Sequence, residues 1–209
     1  MRAILFLITL ILTPCVAAAG QLAVTVKDAA GQPAANAVVT FTPAAGHPAA
    51  AREAGPYVVT QAEVHFDPFV IVVPVGAQVD FPNKDKVRHH VYSFSKAKRF
   101  ELKLYGRDET RHVTFDQPGV VALGCNIHDQ MMGFIFVTDT PYVAKSGANG
   151  EVVFDNLPAG PGVITVWHPF QRSRLNESAQ PLTVPAQGQA RAAFSLNLKA
   201  PPPDKTPLL

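Results

Sequence analysis

The sequence predicts an all-β protein made of small sandwiches, and three observations carry that prediction. Nineteen Pro and fourteen Gly punctuate the 209 residues. No long stretch repeats its apolar residues at a helical period. Short alternating or apolar runs sit instead between turn signals. Residues 57–137 are the most crowded part, with roughly eight short strands in about eighty residues, the density of a sandwich with Greek-key connections.

Taken in order, residues 1–19 read as an export signal. Arg2 supplies the positive end, residues 4–12 the apolar centre and Ala17-Ala18-Ala19 the small-residue cleavage site. The apolar run is too short to span a bilayer, so the expectation is a periplasmic, not a transmembrane, protein. Leu12 lies three residues before Cys15, a lipoprotein-like spacing, but Pro14 stands where a small residue is normally found. Cleavage after Ala19 is therefore expected, with lipidation at Cys15 as the alternative.

Residues 21–26 form a first strand, with Leu22, Val24 and Val26 on one face. A turn from Asp28 to Pro33 leads to a second strand at 37–41, and 44–54 is a small-residue linker with Gly46 and Pro48. Strands follow at 57–60, 64–66, 70–73, 79–81, 90–94, 100–105, 113–115, 120–124 and 133–137. Beyond Val137, the turns Ala148-Asn149-Gly150 and Leu157-Pro158-Ala159-Gly160 flank a strand at 151–154. Residues 163–167 are a strong strand, 192–198 alternate cleanly, and 200–209, with Pro201-Pro202-Pro203, form an expected disordered tail.

The chemistry concentrates in Gly124-Cys125-Asn126-Ile127-His128-Asp129-Gln130-Met131-Met132-Gly133. This stretch puts a thiol, an imidazole and a thioether on a loop between two apolar strands. With one further imidazole, the set becomes Cys, two His and a weak axial Met, the donors of a blue-copper site. The chain has two Cys, and loss of the signal leaves only Cys125. A lone Cys in an oxidising compartment cannot form an internal disulfide. Metal ligation accounts for it better than packing, although a buried inert Cys is a common alternative. Zinc fits less well, because structural zinc sites prefer more Cys and do not use Met.

The formal charge is +2, too near neutral for a nucleic-acid binder. The charge is uneven, however. Lys84, Lys86, Arg88, Lys96, Lys98, Arg99, Lys103, Arg107 and Arg111 face only Asp85, Glu101, Asp108 and Glu109 in the same segment. That segment reads either as a solvated face or as a docking surface for an acidic partner.

The second imidazole is sought in Phe81-Pro82-Asn83-Lys84-Asp85-Lys86-Val87-Arg88-His89-His90-Val91. Strand alternation points only one of His89 and His90 toward the site. Asn83, then Asp85, then His89 with Val91 two residues on, resembles the first ligand region of plastocyanin-like cupredoxins. Cys125-x2-His128-x2-Met131 is similar to the short ligand loop of amicyanin. The resemblance covers about residues 57–137. It implies a cupredoxin Greek-key sandwich holding one copper ion, Cu(I)/Cu(II), through His89, Cys125, His128 and Met131. His90 and Met132, which adjoin two of these residues, are the alternative ligands that the spacing does not pick, and Asn83 and Asn126 are candidates for hydrogen bonds around the sulfur that tune the potential. His47, His65, His112 and His168 are isolated and read as structural or surface residues.

Outside that span, Val24-x-Val26-x-Asp28-x2-Gly31-Gln32-Pro33 resembles the opening of a carboxypeptidase regulatory-like domain. Residues 148–160 with the strand at 163–167 look like its later part. Neither piece has enough strands to bury a core alone. Residues 20–50 and 138–199 are therefore expected to pair as one discontinuous sandwich, with the cupredoxin unit, residues 51–137, inserted in it.

The function expected from these readings is an exported, monomeric one-electron carrier working between redox protein partners, and not an enzyme. The arrangement is similar to bacterial plastocyanin-like proteins called methylamine utilisation proteins, although amicyanin lacks such flanking segments and a methylamine role does not transfer. The rival is a copper carrier or chaperone, for which His90 and Met132 could serve transfer. A copper oxidase or reductase needs a second cluster rich in paired His, which seven scattered His do not supply.

Overall fold

The structure is a computed structural model that describes residues 19–51 and 55–201. Nearly all of the expected signal segment, residues 52–54 of the linker and residues 202–209 lie outside the described residues. The strands are β1 (Ala19–Asp28), β2 (Val38–Pro43), β3 (Tyr57–Val58), β4 (Thr60–Ala62), β5 (His65–Asp67), β6 (Val70–Pro74), β7 (Ala77–Pro82), β8 (His89–Ser95) and β9 (Lys98–Tyr105). They continue as β10 (Thr110–Phe115), β11 (Gly119–Gly124), β12 (Met132–Thr138), β13 (Val143–Lys145), β14 (Glu151–Pro158), β15 (Gly160–Trp167), β16 (Glu177–Val184) and β17 (Gln189–Leu196). A 3-10 turn, Arg174–Asn176, lies among them. The protein is all-β, as its turn-punctuated sequence predicts. No described helix is long and apolar enough to cross a membrane.

Two separate apolar cores organise these strands. The first lies between the five-stranded sheet β6-β12-β11-β8-β9 and the smaller sheet β10-β7-β3. Strict alternation builds it: Ala77, Val79 and Phe81 of β7 point inward, and so do Val121 and Leu123 of β11 and Ile135 and Val137 of β12. The second core lies between β14-β1-β17 and β13-β2-β15-β16. Leu22, Val24 and Val26 face inward there from β1, opposite Phe41, Ile164 and Val166. β1 runs antiparallel to β14 and parallel to β17, with Val24 level with both Val152 and Ala192. A strand near the N-terminus thus lies between two strands that follow residue 150, and its apolar face finds its cover there.

The two sandwiches meet through a third apolar cluster. Phe134 and Phe136 occupy the face of β12 opposite to Ile135, and with Val70, Val72 and Val120 they pack on Val38, Val143 and Trp167. The Trp167 ring centroid lies 5.7 Å from those of both Phe134 and Phe136. Lys145 adds a hydrogen bond from its ammonium to the Val70 carbonyl at 2.6 Å. Burial lowers the pKa of that ammonium, partly offset by Asp67.

β13 and β16 are strands that the sequence pattern does not reveal. β13 has three residues and β16 is Glu177-Ser178-Ala179-Gln180-Pro181-Leu182-Thr183-Val184. Both are edges of their sheet. An edge strand needs no continuous apolar face and tolerates a proline such as Pro181, so neither the hydrophobic alternation nor the proline signal marks them as strands.

Candidate metal centre

β8 and β11 deliver the site from neighbouring positions in one sheet. His89 is the first residue of β8, and Cys125 follows the last residue of β11, where Gly124 pairs with Tyr92 of β8. That pairing puts a Cβ-less residue under an aromatic ring: a Cβ at Gly124 would lie 2.8 Å from the Tyr92 ring and hydroxyl. The chain then turns through residues 125–131, closed by a hydrogen bond from the Met131 N–H to the His128 carbonyl at 2.9 Å, and enters β12.

Three donor atoms converge at this corner. Cys125 Sγ lies 3.9 Å from His89 Nδ1 and 3.7 Å from His128 Nδ1. All three donors lie within 4.8 Å of one another. Bonds of about 2.0 Å to nitrogen and about 2.3 Å to sulfur at a trigonal angle put such donors about 3.7 Å apart. The spacing therefore fits one ion of that size held by two imidazoles and a thiolate. His89 and Cys125 are buried, while His128 is half-buried. Met131 is 1% exposed and belongs to the first core together with Cys125. Met132 is the half-buried first residue of β12.

The adjacent histidines separate as strand alternation requires. His90 sits on the opposite face of β8, where its Nε2 meets Glu101 Oε1 at 2.8 Å and Asn126 Nδ2 at 3.5 Å. It is not among the three clustered donors. Its backbone N–H, with that of Ile127, nevertheless helps to lower the pKa of the Cys125 thiol. The side chains of Asn83 and Asn126, the candidates for hydrogen bonds around the sulfur, make other contacts. The Asn126 side chain reaches His90. The Asn83 side chain pins the first ligand loop, donating to the carbonyls of Val87 at 2.9 Å and Tyr105 at 3.1 Å and accepting from the Asp85 N–H at 2.9 Å.

Asp85 is the site residue whose role the sequence left unread. Its Oδ2 lies 2.6 Å from His89 Nε2, and the carboxylate also accepts the N–H groups of Glu63 at 2.6 Å and Val64 at 3.0 Å. Both of those residues have left-handed backbones, φ 53° and 61°, which turns two successive N–H groups toward one carboxylate. The signal was the four-residue step from Asp85 to His89 within a loop. Tyr105 lies beneath, hydrogen-bonded to Gln61 and donating to the Phe81 carbonyl at 2.9 Å. Burial pushes its phenol up to about 12.

These contacts gather opposite charges at the site. Burial opposes ionisation of Cys125, but hydrogen bonds from His89, from the His90 and Ile127 backbone and from His128 bring the thiol down to about 6. Burial likewise opposes charge on Asp85, yet the N–H of Val64, the His89 ring and the N–H of Glu63 hold its carboxyl below the usual range. His89 is pulled down by burial and raised more strongly by Cys125 and Asp85. Of the remaining histidines, His168 is buried with Nε2 3.2 Å from the Ala35 carbonyl, and burial lowers its pKa. His65 and His112 are exposed and His47 is half-buried; Nδ1 of His47 lies 2.9 Å from the Pro48 carbonyl, and Nδ1 of His65 lies 2.6 Å from that of Glu63.

No protein-family model and no curated protein matches the chain. Among solved structures, it is similar to the copper-containing nitrite reductase of Thermus scotoductus, at 30% identity and a TM-score of 0.40 over 42% of this chain and 23% of that one. It is also similar to an oxidized amicyanin variant, at 21% identity and a TM-score of 0.38 over 47% of this chain and 99% of that one. A purple cupredoxin from Nitrosopumilus maritimus matches at 21% identity and a TM-score of 0.35, over 39% and 96% of the two chains. Each likeness covers less than half of this chain, and the chain spans under a quarter of the nitrite reductase.

Proposed function

We propose that this chain is an exported, monomeric mononuclear copper protein that passes single electrons between redox partners. The observation that carries the reading is the convergence of His89 Nδ1 and His128 Nδ1 on Cys125 Sγ at an apolar corner of a β-sandwich. Copper bound there supplies a one-electron Cu(I)/Cu(II) couple at a thiolate-imidazole site. The chain does the rest. His89 and Cys125 are fixed on adjacent strands of one sheet, Met131 supplies a weak thioether from the core, and two backbone N–H groups spread charge off the sulfur. A site already assembled in this way needs little rearrangement when its charge changes. The buried positions of His89 and Cys125, and the carboxylate behind His89, favour retention of the metal over handing it to another protein.

The same reading covers the chain's organisation. Residues 51–137 are the copper-binding cupredoxin unit, inserted in a regulatory-like sandwich made from 20–50 and 138–199, and the signal segment directs the protein to the periplasm. The separate apolar cores and the pairing of β1 with β14 and β17 support that division.

The test is the absorption spectrum of the mature protein after addition of Cu(II), beside Cys125→Ser. The expected result is an intense thiolate-to-copper charge-transfer band that a mild reductant bleaches reversibly and that the variant lacks. Bound copper without that band makes the protein a non-blue copper carrier, and absence of binding overturns the copper reading.

A further inference from the structure

We infer that the outer face of the β8–β9 hairpin is the docking surface for an acidic redox protein, which meets the site through Tyr92 and Phe94. The inference rests on the electron-carrier reading and names the class of partner that it needs.

The outer face of the five-stranded sheet is covered on one side only. Val70 and Val72 of β6, Val120 of β11 and Phe134 and Phe136 of β12 lie under the second sandwich. No described residue of β8 or β9 takes part in that cluster. On this bare half Phe94 is 77% exposed, the most exposed large apolar side chain described. It is not isolated. Its ring centroid is 5.1 Å from that of Tyr92, which is 5.7 Å from that of His90. The row ends beside the metal centre twice over: His90 follows His89 in the chain, and the Tyr92 ring lies on Gly124, the residue before Cys125. An exposed aromatic anchor is thus joined to the thiolate by a short run of rings and backbone.

Charge defines the partner. Arg99 is level with Phe94 across the hairpin, and Lys103 is an exposed residue on the same strand. Neither forms an ion pair with a described residue. Glu101, the acidic residue between them, is engaged by His90 at 2.8 Å. An aromatic centre with a basic rim fits a partner whose redox centre is ringed by carboxylates, because rim charges steer encounter and aromatic anchors hold the complex. On docking, one electron leaves the reduced centre and one arrives at the oxidised one, so no further reactant is required.

The probe is a plant-type [2Fe–2S] ferredoxin, an acidic one-electron protein, added to the isotope-labelled full chain loaded with copper. The expected result is amide shift changes centred on Tyr92, Phe94, Arg99 and Lys103 that disappear at high salt. Arg99→Glu with Lys103→Glu should weaken binding about tenfold or more, as loss and reversal of rim charge does. Phe94→Ala should weaken it about fivefold without altering the salt dependence, as loss of an exposed anchor does. All three substitutions should leave the copper spectrum unchanged. Shift changes centred on Ile127 and His128 with the hairpin unmoved, or tighter binding to phosphatidylserine vesicles than to the ferredoxin, overturn the proposal. Shift mapping does not require electron exchange. Binding at the hairpin without any exchange sinks the carrier reading alone, and exchange that ignores the hairpin substitutions sinks the docking surface alone.

Discussion

Asp85 and His89 are joined by a 2.6 Å contact between Oδ2 and Nε2, and this leaves the other nitrogen of His89, Nδ1, facing Cys125. A carboxylate on the far nitrogen fixes both the tautomer and the ring orientation of a metal-ligating histidine. Asp85 is itself held by two backbone N–H groups, so the orientation of His89 depends on the loop at Glu63 and Val64. Asp85→Ala should lower copper affinity about 10–100-fold, the usual cost of removing such a partner. Competition with a chelator of known affinity measures it. Asp85→Asn, which can still accept a hydrogen bond, should recover part of the loss.

The thiol of Cys125 should titrate near 6 in the metal-free protein, against about 8.5 for a free thiol. Thiolate absorbance in the ultraviolet, followed against pH and compared with Cys125→Ser, reads it directly. The same shift bears on stability. Between those two values the unfolded chain holds a proton on sulfur that the folded chain has released, so this group favours folding more as pH rises through that window. Its contribution is complete above the unfolded pKa and is lost as pH falls through about 6. A metal-free protein that denatures equally easily at both ends of the window, after subtraction of the Cys125→Ser control, would contradict this.

Trp167 should report on the contact between the two sandwiches. It is the only Trp in the sequence, and its ring packs on Phe134 and Phe136 from the other sandwich. Trp167→Ala should cost about 3–5 kcal/mol, the range for truncating a large buried aromatic. If that contact couples the units, denaturant unfolding should separate into two transitions in the variant. The copper absorption and the far-ultraviolet dichroism would then no longer change together.

How much of this was legible follows from what kind of residue does each job. The inward rows, such as Leu22, Val24 and Val26 or Ala77, Val79 and Phe81, declare themselves because one face of each strand meets a core. The edge strands β13 and β16 do not, since half-wet strands need no apolar row. At the site, Cys125, His128 and the pair His89-His90 could be read from residue type, and strand alternation alone limits the choice within the pair to one. The hydrogen bonds to sulfur could not be read, because backbone N–H groups leave no mark in residue identity. The Asp85 contact was partly legible in the four-residue step to His89, but what holds the carboxylate was hidden, because it depends on left-handed turns at Glu63 and Val64, two residue types that give no sign of such a backbone. The aromatic row was hidden for a different reason: Tyr92 and Phe94 alternate like any outward strand residues, and only the position of the second sandwich shows that they stay uncovered.

Gly124 is the last case, and it separates packing from metal chemistry. Its Cα lies under the Tyr92 ring, so a methyl group there would sit 2.8 Å from Cζ and from the hydroxyl oxygen. Gly124→Ala must therefore push Tyr92 outward or shift the start of the Cys125 loop. Overpacking of this kind costs about 1–3 kcal/mol. Tyr92→Ala on its own removes the ring and should cost less, because the ring is only half-buried. If the clash is the whole effect, the double variant should be no less stable than Tyr92→Ala alone. The coupling in the double-mutant cycle should then match the cost of Gly124→Ala, as expected for residues in direct contact. Chemical denaturation of the four proteins measures the cycle. The copper spectrum adds a second axis: if Tyr92 yields, the charge-transfer band of Gly124→Ala keeps its position, and if the loop yields, the band shifts and Tyr92→Ala restores it. A destabilisation that Tyr92→Ala does not relieve would show that the glycine serves the loop backbone and not the ring above it.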